Sequence, residues 1–141
     1  MIKFKYMIYE IFYMQLETER ITLPSGKEAK LIDALTFCYD ISDTEFKVLQ
    51  TVIEKKTITE DELVEMLKLS KASVNRSLNK LVSLGFIERE KVQSNKGGRP
   101  KYLYKALDKE ELVKKLTEDF KKCSEMFINT LPSFIRSSFG S

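Results

Sequence analysis

The sequence predicts a mainly helical, α+β domain that carries one two-stranded β-hairpin. Three observations support this: Ser/Thr-x-x-Glu motifs mark helix starts, apolar residues recur at helical spacing, and two alternating segments flank a Gly-rich turn. With 141 residues, 43% of them hydrophobic, the chain is long enough to bury one ordinary core without metal or disulfide support. We therefore expect a single domain over residues 1–141.

The composition excludes several classes of protein. The chain has no His, the commonest general base, and its two Cys cannot complete a four-ligand zinc site. The remaining Asp, Glu, Lys and Tyr residues form no recognisable catalytic spacing, and no stretch approaches the ~18 apolar residues of a membrane span. We expect a cytoplasmic non-enzyme without metal or cofactor. Cys38 and Cys123 are expected to be reduced core or interface residues, with a redox switch as the alternative.

The N-terminal part begins with a segment of unusual composition. Residues 1–13 use few residue types and the composition changes at Met14, so we expect an extension, with an apolar arm that pairs with another subunit as the alternative. A turn signal at residues 23–26 precedes a predicted helix over 27–39, which Asp40 and Ile41 close.

Each of the next three predicted helices starts at a cap residue: Ser42, Thr59 or Ser70. The first two open capping boxes, and the third helix runs to about Leu84, where Gly85 supplies a left-handed C-cap. The apolar positions of these helices are Phe46, Leu49, Val52 and Ile53, then Leu63, Val64, Met66 and Leu67, then Val74, Leu78, Leu81 and Val82. Residues 57–58 are expected to be a connector.

The third helix has a second, polar face. Ser73, Arg76 and Lys80 project opposite the apolar stripe, with Ala72 and Ser83 beside them. Residues 86–92 and 101–107 then alternate as strands around the basic, Gly-rich turn 93–100, which predicts a hairpin with a charged tip.

A long amphipathic helix is predicted over residues 109–131, from the cap Asp108 to Pro132, which is expected to end it. Its main apolar positions are Leu112, Leu116, Phe120, Cys123, Phe127 and Leu131. No other element is left over to cover this face. We therefore expect a self-association helix, with a monomeric core helix as the alternative.

The positive charge is concentrated in one segment. The whole chain has a net charge of +3, but residues 71–105 hold nine Lys/Arg against Glu88 and Glu90, a net charge of +7. Such an asymmetry indicates a polyanionic partner, although an ordinary solvated surface is the alternative for a charge cluster taken alone.

Three helices with a short turn between the second and third, followed by a hairpin, form the order of a winged helix-turn-helix. Its third helix fits the major groove of double-stranded DNA. Ala72 and Ser73 are small enough for close approach, Asn75, Arg76 and Asn79 can reach base edges, and Lys71 and Lys80 suit phosphates. The hairpin is the wing of this motif, and Lys96, Arg99 and Lys101 are its candidate DNA contacts. A surface ion pair for Arg76 and an ordinary solvated turn for the tip are the alternatives.

Two stretches of the chain resemble a known family. Residues 67–89 (LKLSKASVNRSLNKLVSLGFIER) and 97–104 (GGRPKYLY) are similar to small archaeal winged-helix transcription regulators of the MarR and TrmB type, with the close match over 42–107. The resemblance implies a homodimer on pseudo-palindromic operator DNA, with the helix from Lys71 in the major groove, the wing near Arg99 beside it, and dimerisation through 27–39 and 109–131. It does not extend to a sugar-binding domain, because the chain stops at Ser141, and no residue identifies an effector.

Two other functions stay open at this point. One is an architectural nucleoid protein with little sequence preference, which the Lys-rich wing permits. Ser73, Asn75 and Arg76 argue against it because they suit base reading. The other is a winged helix whose third helix binds a protein, for which a less one-sided charge than +7 is expected.

Overall fold

The computed structural model describes residues 19–92 and 101–140. They group into two compact units that divide between Ala106 and Leu107. The first contains β1 (Arg20–Thr22), β2 (Glu28–Lys30), α1 (Leu31–Tyr39), α2 (Asp43–Lys55), β3 (Thr57–Thr59), α3 (Glu60–Leu67), α4 (Lys71–Leu84), β4 (Ile87–Val92) and β5 (Lys101–Ala106). The second contains α5 (Lys109–Glu125), a π-helical turn (Met126–Thr130) and α6 (Leu131–Phe139).

The first unit begins with a small hairpin that the sequence analysis missed. Strands β1 and β2 pair antiparallel around the predicted turn, where Gly26 has a φ of +87°. The prediction of a helix over 27–39 is therefore wrong for residues 27–30. The left-handed Gly26 reverses the chain, and the pairing of Arg20 with Lys30 keeps the second segment extended. The predicted helix end is confirmed, because Asp40 is the left-handed C-cap of α1.

The caps of α2, α3 and α4 are confirmed. The hydroxyl oxygens of Ser42, Thr59 and Ser70 each accept the backbone N–H three residues on, at 3.2, 3.2 and 3.1 Å. Gly85 closes α4 in the left-handed conformation, with its N–H donating to the carbonyls of Leu81 and Val82. Local capping chemistry therefore determines where these three helices begin and where α4 ends.

The core of the first unit lies between α2, α3, α4 and the sheet. Its fully buried side chains include Val48, Val52, Ile58, Leu63, Val74, Leu78, Leu81, Phe86 and Ile87. The prediction that Met66 faces inward is wrong, because its side chain is 49% exposed. The buried and half-buried apolar side chains of α3 are Leu63, Val64 and Leu67, so the centre of the buried apolar face lies away from Met66.

The predicted hairpin is one part of a three-stranded sheet with the order β3-β5-β4. Strand β4 pairs antiparallel with β5, which confirms the hairpin, and β3 pairs with the other edge of β5. The expectation that residues 57–58 form a connector is wrong. Three residues are too few to show an alternating pattern, and the partner strand lies far along the chain. Ile58, Ile87 and Tyr104 anchor the sheet to the core.

The second unit is helical beyond the predicted boundary. The Asp108 cap is confirmed, with its carboxylate accepting the Glu111 N–H at 2.8 Å. Pro132 was expected to end the helix, but the chain continues as α6 to Phe139, so that boundary is wrong. Pro132 lies in the first turn of α6, directly after the π-helical turn. Thr130 and Leu131 keep the right-handed helical conformation, so Pro132 removes one backbone donor next to the π-helical turn without ending the helix.

The prediction of reduced cysteines is also wrong. Cys38 and Cys123 are both disulfide-bonded, so neither is a free thiol. The spacing of cysteines along a sequence does not reveal which thiols come within bonding distance.

Candidate nucleic-acid interface

Helix α4 has one buried side and one exposed polar side. Its buried side chains are Val74, Ser77, Leu78 and Leu81. Its exposed polar face consists of Ala72, Asn75, Arg76, Asn79 and Ser83. Ser73 and Lys80, which the sequence projection placed opposite the apolar stripe, are half-buried at its edge. The burial of Ser77, only 4% exposed, turns the helix so that Asn79 and Ser83 lie nearer the centre of the outward face than Lys80.

The composition of α4 suits an approach to a polyanion. The helix carries Lys71, Arg76 and Lys80 and no Asp or Glu. Its first turn presents Ala72 and Ser73, so a ligand backbone can come close to the helix without a large side chain in the way.

Arg76 is exposed and has no acidic partner among the residues that the structure describes. A guanidinium Nη2 lies 3.5 Å from the Ser73 hydroxyl, the longest distance that qualifies as a hydrogen bond. The surface ion pair considered from the sequence is thus not formed within residues 19–92 and 101–140. The guanidinium of Arg76 has five N–H donors, of which one makes the long contact to Ser73, so most of them can reach an external acceptor.

Three polar side chains form a chain of hydrogen bonds across α3 and α4. Asn75 Nδ2 donates to Glu60 Oε1 at 2.9 Å, and Asn79 Nδ2 donates to Asn75 Oδ1 at 3.0 Å. Glu60 is the first residue of α3, so its carboxylate also lies at the positive end of that helix. This role of Glu60 could not be predicted, because a contact between residues fifteen apart leaves no local pattern in the sequence.

Glu60 also influences the sheet beneath it. Burial raises the pKa of Tyr104, and the negative charge of Glu60 raises it further, whereas Arg89 acts in the opposite direction. Glu60 is therefore close enough to the ring of a core residue of β5 to affect its ionisation. This places the carboxylate beside rigid parts of the unit, the core strand and the start of α3.

Lys80 is bound within the protein. Its ammonium lies 3.2 Å from Glu45 Oε1 and 3.9 Å from Asp40 Oδ2, and it also donates to the Asp40 carbonyl. Burial alone raises the pKa of Glu45, but hydrogen bonds from Ser42 and the Lys80 ammonium outweigh burial and lower it. Lys80 thus links α4 to the junction between α1 and α2, a role that the phosphate prediction did not include.

The wing strands β4 and β5 carry further cations. The Arg89 guanidinium lies 4.5 Å from the centroid of the Tyr102 ring, a cation–π contact across β4 and β5. Lys101 is exposed at the start of β5, opposite Val92. The predicted contacts Lys96 and Arg99 fall outside the described residues.

Comparison with known proteins identifies the family. Residues 35–110 match the model of a family described as sugar-specific transcriptional regulator TrmB. The chain belongs to the TrmB family. The matched part of this TrmB-family chain extends from α1 to the start of α5 and includes all of α4. No curated protein sequence matches the chain.

Solved structures show the same fold. A possible transcriptional regulator from Methanosarcina mazei Go1 is 21% identical, with 83% of this chain and 98% of that chain covered and a TM-score of 0.72. The ST1889 protein from the thermoacidophilic archaeon Sulfolobus tokodaii is 34% identical, with 66% and 90% covered and a TM-score of 0.53. A MarR structure is 22% identical, with 74% of each chain covered and a TM-score of 0.46. The family match confirms the predicted resemblance to TrmB-type regulators, and the Methanosarcina mazei structure confirms the predicted fold.

The described residues of this TrmB-family chain contain neither a metal-binding cluster nor a helix suited to crossing a membrane. No group of three or more His, Cys, Asp or Glu within them is arranged to hold a metal ion. No helix in residues 19–92 and 101–140 is long and apolar enough to span a bilayer.

Proposed function

We propose that this TrmB-family protein is a sequence-specific, double-stranded DNA-binding transcriptional regulator that acts as a homodimer in the cytoplasm. The observation that carries the proposal is the exposed polar face of α4, which holds no acidic residue and an Arg76 without an acidic partner in the described part of the chain, while the opposite side is buried. An α-helix with one free polar face fits the major groove, where base pairs can be distinguished.

Within this proposal, each part of the interface has its own task. Arg76 makes bidentate contacts with guanine, and Asn75 and Asn79 address base edges. Ala72 and Ser73 allow close approach, and Lys71 binds a phosphate. The wing residues Lys96, Arg99 and Lys101 contact DNA beside the groove that α4 occupies. Lys80 makes no phosphate contact in this proposal, because its ammonium already binds Glu45 and Asp40.

Exposed apolar side chains of the second unit support the homodimer. Phe127, Leu131 and Phe134 are 54%, 54% and 63% exposed, and Val113, Met126, Ile128, Ile135 and Phe139 are exposed as well. The predicted dimerisation residues are Leu112, Leu116, Phe120, Cys123, Phe127 and Leu131. We propose that the exposed apolar surface of the second unit pairs with the same surface of a second copy of the chain. A two-fold dimer then presents two α4 helices to the half-sites of a pseudo-palindromic operator.

Fluorescence anisotropy tests the DNA-binding proposal. The full chain is titrated into a randomised duplex and into a duplex enriched by selection from a random library, each at several salt concentrations. We expect steeply salt-dependent binding and a preference of about 10³ or more for the selected duplex. Equal affinity for both duplexes would contradict sequence-specific binding, and no binding at low salt would contradict the DNA partner altogether.

A further inference from the structure

We infer that Asn79 reads an adenine in each DNA half-site and that Glu60, acting through Asn75, holds Asn79 in the orientation that this contact needs. The inference rests on the proposed function and adds a base-specific contact and a positioning residue on a different helix. It follows from the hydrogen-bond chain Glu60–Asn75–Asn79 and from the direction in which α4 faces.

The carboxylate of Glu60 determines the orientation of both amides. An ionised carboxylate only accepts hydrogen bonds, so the Asn75 group that lies 2.9 Å from Glu60 must be its NH₂. The carbonyl oxygen of Asn75 is thereby turned toward Asn79. That oxygen in turn requires the NH₂ of Asn79 as its donor, at 3.0 Å. Removal of Glu60 removes the group that sets this order.

The ordered amide of Asn79 keeps the groups that adenine requires. One N–H of Asn79 is used by Asn75, which leaves a second N–H and the carbonyl oxygen for an external partner. An Asn side chain recognises adenine by donating to N7 and accepting from the N6 amino group. Asn79 therefore presents one donor and one acceptor in a fixed arrangement.

The rotation of α4 favours Asn79 over Asn75 for this contact. At about 100° per residue, Asn79 lies about 150° from the centre of the buried stripe and Asn75 about 110°. Asn75 also uses one N–H and its carbonyl oxygen inside the protein, which leaves it a single N–H for a base edge and no paired donor and acceptor. Asn75 thus connects Glu60 to Asn79, and Asn79 faces outward next to Arg76.

Glu60 itself is well placed to act as a fixed point. It is half-buried at the start of α3, where Thr59 caps the helix, and its charge affects the buried Tyr104. A half-buried side chain on the first turn of a capped helix has fewer conformations to lose when it orders an amide than an exposed one has. Without Glu60, the side chain of Asn79 becomes ordered only when DNA binds, and the conformational entropy lost at that step weakens binding.

The test compares the base preferences of five full-length proteins: the wild type, Asn79→Ala, Glu60→Ala, Glu60→Gln and Asp61→Ala. Each is used to select duplexes from one random library, and single-base variants of the preferred duplex are then measured by anisotropy. Asp61→Ala removes the same charge next to Glu60 and leaves the hydrogen bond between Glu60 and Asn75 in place. Circular dichroism thermal scans verify that each variant folds.

We expect Asn79→Ala to lose an adenine preference of about 10- to 100-fold at one base pair of each half-site, with little change on random duplex. Glu60→Ala should weaken the same preference about tenfold, and Glu60→Gln should retain it because the acceptor oxygen remains. A general rise in DNA affinity from the lost negative charge should be similar for Glu60→Ala and Asp61→Ala.

The outcomes separate the inference from the proposed function. If the wild type selects no sequence, the proposed function fails. If the wild type is specific and Asn79→Ala keeps every base preference, the adenine contact is overturned and the proposed function stands. If Asn79→Ala loses the preference but Glu60→Ala behaves like Asp61→Ala, the positioning role of Glu60 is overturned.

Discussion

Glu45 joins two kinds of interaction in one carboxylate, since it accepts from the Ser42 backbone N–H and binds the Lys80 ammonium. Both favour the ionised form, which is why the pKa of Glu45 lies below its usual value of 4.5 despite burial. A carboxyl whose pKa is lower in the folded state stabilises the fold above its unfolded pKa. That contribution is lost as the pH falls below 4.5 through the folded pKa.

We therefore predict that the unfolding free energy falls as the pH drops below 4.5 and that Glu45→Gln removes part of this dependence. At neutral pH the substitution should destabilise the fold by about 1–2 kcal/mol, because the capping box and the ion pair are both weakened. Urea unfolding followed by circular dichroism at several pH values measures this. Glu65→Gln, at an exposed position on α3, serves as the control. Identical pH dependence in both variants would contradict the prediction.

Lys71 and Lys80 lie on the same helix but differ in what holds them. Lys71 is exposed in the first turn, whereas Glu45 and Asp40 bind Lys80. We predict that Lys71→Ala lowers the salt slope of DNA binding by about one, with little effect on stability. Lys80→Ala should leave the slope unchanged and lower the unfolding free energy by about 1 kcal/mol. A slope reduced by about one in Lys80→Ala would show that its ammonium binds a phosphate instead.

At the scale of elements, the parts predicted from sequence are those that local chemistry determines. Helices α2, α3 and α4 begin at Ser42, Thr59 and Ser70 because each side chain satisfies an amide three residues away. Strand β3 and the N-terminal hairpin were missed because strands of three residues have no readable period and depend on pairing. The polar face of α4 was predicted in outline. The rotation of α4 depends on the burial of Ser77, which its polar side chain does not predict. The partners of Asn75 and Lys80 lie on other helices, so the sequence near α4 gives no indication of them.

The end of α4 offers an element-level prediction. Gly85 has a φ of +83° and its N–H closes the last turn of the helix. A Cβ in the left-handed conformation costs about 1–2 kcal/mol, so Gly85→Ala should destabilise the fold by about that amount and increase fraying of the last turn. Urea unfolding and amide hydrogen exchange measure the two effects. Ser83→Ala, an exposed change in the same turn, is expected to be within about 0.5 kcal/mol of the wild type. Equal stability of both variants would contradict the role of Gly85.

At the scale of the whole molecule, charge and apolar surface are segregated. The basic residues concentrate in 71–105, which includes α4 and the wing strands. The exposed large apolar residues concentrate in residues 113–139 of the second unit, with few charges beyond Glu125. In the proposed function, this division assigns DNA binding and self-association to different units. A substitution in the second unit should therefore change DNA affinity only by changing whether one α4 helix or two α4 helices bind the DNA together.

This dependence leads to a prediction on α6. Phe134 is 63% exposed, and Phe134→Glu should raise the dimer dissociation constant about a hundredfold or more, because a charge would be buried in the apolar interface. Sedimentation equilibrium measures the constant. Affinity for a two-half-site duplex should fall, because the two α4 helices no longer bind as one unit, while affinity for a single half-site should stay at the wild-type value. Ser133→Glu adds the same charge at an exposed polar position of α6 and should leave the dimer intact. Equal dissociation constants for the two variants would move the interface away from this surface, and a monomeric wild type would contradict the homodimer.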